Sequence, residues 1–250
     1  MQKKKILVCL LAAALLLATL GLFVGCSGKV TYENAESYTA GDFDTDEKIT
    51  AIEIYWQGGE VLLKNTISSK LYASEERDVR TDPQMYHAVA DGVLRIYPCA
   101  SGESVGSQEK ALTLLIPYEY GNDLKSVRIV CEGDAQVMVD GVNAESLTVS
   151  TAAAPVILKG KLGTTSVTTT TGDLYVESMQ AQGLTFRSNR GNATLSLQTS
   201  GFVAVIEGRG DFNSEYEAHR DGDVYRYGNQ SLPMIFDTRG DVTLKQYEAK

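Results

Sequence analysis

From Leu124 onward, apolar residues recur as short pairs at positions i and i+2: Val127/Ile129, Val137/Val139, Leu147/Val149, Val156/Leu158, Val167/Thr169, Leu174/Val176, Leu184/Phe186, Leu195/Leu197 and Val203/Val205. Alternation with period two places both members of a pair on one face of a strand. Successive pairs begin about ten residues apart, so every second pair lies about twenty residues on, a spacing within the range of structural repeats. The intervals hold turn formers: Gly133-Asp134, Asp140-Gly141, Gly160, Gly172-Asp173, Gly183, Gly191-Asn192 and Gly201. Two short strands and two turns per twenty residues make one rung of a β-solenoid, whose inward pairs are buried only by stacking on the next rung. An antiparallel β-sandwich with short hairpins is the alternative, since its strands recur at similar spacing. The shortness and evenness of the pairs favour the solenoid.

Residues 41–120 alternate less regularly. Ile52, Ile54 and Trp56 interleave with polar neighbours, and Gly58-Gly59 turns the chain into Val61-Leu62-Leu63. Val93–Tyr97 and Leu112–Ile116 read as further strands, separated by a Gly/Ser-rich connection from Ala100 to Lys110. Only 74–87 leaves room for a helical turn or loose loop. The regular rungs span about 124–207, and an aromatic interruption follows at 212–233. The whole of 41–250 is therefore expected to be one all-β domain, large enough for a core.

The first 25 residues differ in kind. Lys3, Lys4 and Lys5 precede an apolar run from Ile6 to Val24, and small Gly25 ends it. A charged start, an apolar middle and small residues at a cleavage point describe a secretory signal. The closing Leu22-Phe23-Val24-Gly25-Cys26 resembles the lipobox of bacterial lipoproteins, with Phe23 where Leu is usual. That resemblance implies cleavage before Cys26 and acyl chains, palmitate among them, on its thiol. Residues 26–40 would be a lipidated, polar tether on the extracytoplasmic face of the cell membrane. An uncleaved transmembrane helix is the competing reading, and both leave the body outside and tethered.

Charge narrows the partners. The chain has 23 basic and 32 acidic residues. Removing the three leader lysines leaves the mature part at about −12, a surface that repels polyanions and excludes nucleic acid as an expected ligand. Four cysteines are present. Cys9 leaves with the leader, Cys26 is the lipid attachment, and Cys99 and Cys131 remain. Outside the membrane a Cys99–Cys131 disulfide is permitted, and two buried free thiols are the equal alternative.

The order of patterns resembles the bacterial putative-adhesin domain family of unknown function, whose members are surface β-solenoid proteins. Ala51-Ile52-Glu53-Ile54 leading to Gly58-Gly59-Glu60-Val61 is similar to that family's opening strand and turn. Asp91-Gly92-Val93-Leu94-Arg95-Ile96, Leu114-Leu115-Ile116-Pro117 and Met234–Leu244 are similar to its later strands. The resemblance implies a fold and a surface location, and brings no catalytic residue. It points to a non-catalytic envelope lipoprotein with an adhesion, binding or scaffold role toward an unidentified envelope protein or glycan. An envelope-stress signalling component and a wall-polysaccharide-active enzyme are the alternatives.

Candidate chemistry is sparse. His87 and His219 are the only histidines, in no HExxH arrangement, and no Gly-x-Ser-x-Gly elbow is present. No catalytic residue, cofactor or established metal site is assigned. Asp42, Asp44, Asp46 and Glu53 fall at calcium-loop spacing, but Glu47 stands where the loop needs glycine; a solvated acidic loop is the plainer reading. Arg209-Gly210-Asp211 and Arg239-Gly240-Asp241 carry an integrin-type triplet, yet Gly-Asp before an apolar pair is this chain's own turn device. Tyr216, Tyr225, Arg226 and Tyr227 are contact candidates, because such residues are enriched at interfaces. The plainer reading of their segment is a cap over the open end of a stacked sheet.

Overall fold

A computed structural model describes residues 28–80, 82–105, 110–119 and 124–247, apart from the side chain of Met179. The described residues are all-β, as the period-two patterning requires: their strands join in one hydrogen-bonded sheet that curls on itself. In chain order the strands are β1 (Thr39–Ala40), β2 (Phe43–Thr45), β3 (Ala51–Trp56), β4 (Val61–Thr66), β5 (Leu71–Glu76), β6 (Tyr86–Ala90), β7 (Val93–Tyr97) and β8 (Ala111–Pro117). There follow β9 (Ser126–Cys131), β10 (Val137–Asp140), β11 (Ser146–Thr151), and the long β12 (Val156–Thr169) and β13 (Leu174–Ser188). The last group is β14 (Ala193–Leu197), β15 (Gly201–Ile206), β16 (Phe212–Ser214), β17 (His219–Asp221), β18 (Val224–Gly228), β19 (Leu232–Asp237) and β20 (Val242–Gln246).

The strands pair in two parallel ladders. The first runs β7, β3, β9, β11, the second half of β12, the second half of β13, β19, β15. The second runs β8, β4, β10, the first half of β12, the first half of β13, β14, β20, β16. Consecutive apolar pairs thus fall alternately in one ladder and the other. Antiparallel pairing is confined to the ends. There β6 and β1 extend the first ladder beyond β7, β5 and β2 extend the second beyond β8, and β18 and β17 extend the first beyond β15.

Register stacks like upon like. One apolar column is Ile96, Ile54, Ile129, Val149, Val167, Phe186, Phe236 and Ile206. Another is Leu114, Leu63, Val139, Leu158, Val176, Leu195 and Leu244. All are buried in one continuous core. Burying a side chain of this size contributes about 1.5–3 kcal/mol, and a one-residue slip would turn a whole column outward.

The spatial order departs from chain order twice. The passage β3–β4 lies between β7–β8 and β9–β10, and the later β19–β20 lies between β13–β14 and the earlier β15–β16. Two expectations are corrected here. Val203 and Val205 face outward, and Phe202, Ala204 and Ile206 fill the core. Phe202 and Ile206 bring more apolar bulk to the core than the two valines, which lie across from Arg226 and Val224 of β18. The segment read as a polar tether is docked from Val30 onward. Val30 and Tyr32 are buried, Tyr32 stacks on Tyr97 with ring centroids 4.0 Å apart, and its hydroxyl donates to the Cys99 carbonyl over 3.1 Å.

Candidate functional site

The turns into the second ladder are built alike. Asp173, Asn192, Asp241 and Asp211 immediately precede the strand segments that begin at Leu174, Ala193, Val242 and Phe212. Each corner side chain accepts the backbone N–H of the next corner: Asn192 donates to Asp173 over 2.7 Å, Asp241 to Asn192 over 2.9 Å, and Asp211 to Asp241 over 3.2 Å. The residue before each corner is glycine. A Cβ at Gly191, Gly240 or Gly210 would collide with the carbonyl of Gly172, Gly191 or Gly240 respectively, in the neighbouring turn of the ladder. The two Arg-Gly-Asp triplets are therefore neighbouring steps of this corner ladder, their Gly-Asp parts engaged in stacking. Asp211 is the last step. Its backbone is engaged by Asp241 and Val242, and among the described residues no further corner lies beyond its exposed carboxylate.

At this end the two ladders finish at different heights. The first continues past β15 through β18 and β17, whereas the second stops at β16. With strands about 4.8 Å apart, the β17–β18 hairpin stands about 10 Å above β16. Between them lies a cleft of about 350 Å³, floored by residues 208–213 and walled by Arg220, Asp223 and Tyr225. Arg220 lies over the Tyr225 ring at 5.3 Å.

The contact candidates from the sequence separate in this setting. Tyr216 is buried, so it offers no contact surface; its hydroxyl donates to the Leu197 carbonyl, and burial raises its pKa. Tyr227 packs against Tyr216 at 4.9 Å and Tyr225 against Phe212 at 4.3 Å, closing the end of the core from β18. Arg226 points to the other face, 3.5 Å from Asp221. Of the four, Tyr225 borders the cleft.

The other candidates are dispersed. Cys26 lies outside the described residues. Cys99 and Cys131 are both free and buried. They are not joined, because Cys99 sits in a small cluster with Val30 and Tyr32, while Cys131 belongs to the main core opposite Trp56. Burial pushes both thiols up to about 11. The acidic series does not converge. Asp42 accepts the backbone N–H of Glu75 over 3.0 Å, Asp44 pairs with Lys70 at 2.6 Å, and Glu53 pairs with Arg95 at 2.9 Å. Among the described residues, no group of three His, Cys, Asp or Glu side chains is placed to hold a metal ion.

Sequence reasoning missed Lys110, which is completely buried at the opposite end. Its ammonium meets the Glu75 carboxylate at 2.6 Å, the Pro98 carbonyl at 2.6 Å and the Pro83 carbonyl, so all three donors are used. Glu75 also accepts from Arg77 and from the Met85 backbone N–H, and Trp56 donates to the Lys110 carbonyl. Every partner has a local assignment, which makes this a staple between β5, β8 and the 77–85 loop. A lysine beside a Gly/Ser-rich connection carries no sequence signal for such a role.

No protein-family model and no curated protein matches the chain. Solved structures similar to it include a putative cell adhesion protein of Clostridium sporogenes, at 13% identity over 83% of this chain and 100% of that one, with a TM-score of 0.47. A putative adhesin of Bacteroides fragilis is 12% identical over 84% and 96%, with a TM-score of 0.41. A putative lipid binding protein of Parabacteroides distasonis is 9% identical over 83% and 96%, with a TM-score of 0.31.

Proposed function

We propose that the chain is a cell-envelope lipoprotein, acylated on Cys26, whose two parallel ladders are the rungs of one β-solenoid displayed outside the membrane for binding or scaffolding without catalysis. The observation that carries this reading is the short distance between the lipobox-like Gly25-Cys26 and the folded body. Val30 is already buried, four residues after the acylated position. Four extended residues span at most about 14 Å, so such a domain stands directly on the bilayer, with its β7–β8 end toward the lipid and the stepped end outward. A display role suits this arrangement, since it places the surface farthest from the lipid within reach of envelope partners.

Growth with an alkyne-tagged fatty acid tests the anchor. Label should enter the wild-type chain and be absent from Cys26→Ser, which should also keep its leader and run correspondingly larger. Label retained by Cys26→Ser would refute acylation at this position. Binding is tested by passing envelope extracts over the immobilised protein. Specific retention of an envelope protein or glycan is expected, and release of reducing ends from envelope glycans would overturn the non-catalytic reading.

A further inference from the structure

The geometry points to the ledge above β16 as a docking site for one extended polypeptide strand, lying parallel to β16 with a glycine at its corner. This deepens the display reading of the preceding subsection and rests on it. Three observations converge. First, among the described residues β16 is hydrogen-bonded along one side only, to β20. Its residue 211 carbonyl accepts from Val242 and Glu215 donates to Leu244, so along this parallel pair residue 213 also faces β20. Phe212 and Ser214 thus turn their backbone groups to the open side. Second, the corner ladder ends in an unused acceptor. Asp173, Asn192 and Asp241 each receive the N–H of the corner above, and Asp211 has the same position and chemistry with no corner above it among the described residues. Third, the cleft of about 350 Å³ lies on this ledge, between β16 and the hairpin wall.

The occupant follows from the repeat. A strand continuing the stack would place its corner N–H on the Asp211 carboxylate. It would need glycine before that corner, because Gly191, Gly240 and Gly210 all lie where a side chain would strike the carbonyl beneath. A second copy of this chain fits poorly. At its opposite end both ladders are extended equally, by β6 with β1 and by β5 with β2. That level face meets the β17–β18 hairpin before it reaches β16. A single strand of another polypeptide has no such obstacle, and strand addition to an open edge is an established mode of peptide recognition.

The test uses the full-length protein in detergent micelles and a fluorescein-labelled peptide of residues 190–198, which reproduces one of the chain's own rungs. Saturable binding by anisotropy is expected. A scrambled peptide, and one carrying Gly191→Val, should bind at least about tenfold more weakly. Asp211→Ala should weaken binding about tenfold, the scale of one charge-assisted hydrogen bond. Asp211→Asn should bind as the wild type does, since Asn192 performs the same task within the ladder. Ser214→Pro, which removes an N–H from the open side, should abolish binding. Circular dichroism melts confirm that the variants are folded; should Ser214→Pro unfold, the Asp211 pair decides the question. Equal binding by wild type and Asp211→Ala, or no saturable binding, would overturn the proposal. So would concentration-dependent self-association in sedimentation that Asp211→Ala removes, because the ledge would then belong to a second copy. If envelope extracts still yield a retained partner while the peptide fails, the display reading stands and the ledge alone falls.

Discussion

Gly191 and Gly183 show how differently the same residue type is used. Gly183 has ordinary backbone geometry, and a Cβ there would meet nothing nearer than Pro233 at 3.7 Å. Gly191→Ala should therefore lower thermal stability by a cost on the order of several kcal/mol, as forced overpacking against backbone does. Gly183→Ala should be neutral or slightly stabilising, by restricting the unfolded chain. Comparable melting temperatures for the two variants would show that the corner ladder is looser than described. Lys110→Met leaves Glu75 buried without its ammonium partner, an arrangement that costs about 3–5 kcal/mol, which chemical denaturation should reveal. His87 makes stability depend on pH. It stacks on Phe43 at 3.7 Å, its Nδ1 is buried without a hydrogen-bond partner, and burial lowers its pKa below the ordinary 6.5. The unfolded chain then takes up the proton first. The contribution is complete above about pH 6.5 and is lost as pH falls through the lower folded value, with a slope of at most about 1.4 kcal/mol per pH unit. His87→Phe should remove that slope from melts recorded across the interval, and an unchanged profile would refute the assignment.

At the scale of the strand, three of the four ladder ends are finished with short antiparallel pieces, and the fourth stops at the short parallel strand β16. β1 has two residues, and β2, β16 and β17 have three each. Short outer strands and added hairpins are how sheets avoid pairing edge to edge. Replacing residues 217–229 by a short Gly/Ser linker bares β15 and uncovers Phe202, so light scattering should report aggregates where the parent chain is monodisperse. Much of this level was legible in advance. The pairs from Val127/Ile129 to Leu195/Leu197 are buried as their alternation requires, and the Gly-Asp turns lie at the corners. The reading slipped at β15, where Phe202, Val203, Ala204, Val205 and Ile206 are all apolar and a run without polar breaks does not declare its face. Residues 26–40 read as tether, because Val30, Tyr32 and Tyr38 are too widely spaced to show a period, yet those three pack together on Tyr97. The ledge was half visible. Its aromatic residues stood out, but their part in closing the core, and the isolation of Asp211, depend on spatial order that no local pattern encodes.

Across the whole molecule, the swapped passages decide what the chain termini hold. A linear coil would put its first and last passages outermost, where each has one neighbour to lose. Here the first passage, β3–β4, is gripped between β7–β8 and β9–β10, and the last, β19–β20, between β13–β14 and β15–β16. Tension from the N-terminal side strips the one-sided β1 and β2 before it reaches β3–β4, tension from the C-terminal side reaches β19–β20, and extracting either passage must rupture two rows of backbone hydrogen bonds together. A protein held at one end while a partner tugs at the other would shed β1 and β2 and then yield under load as one unit.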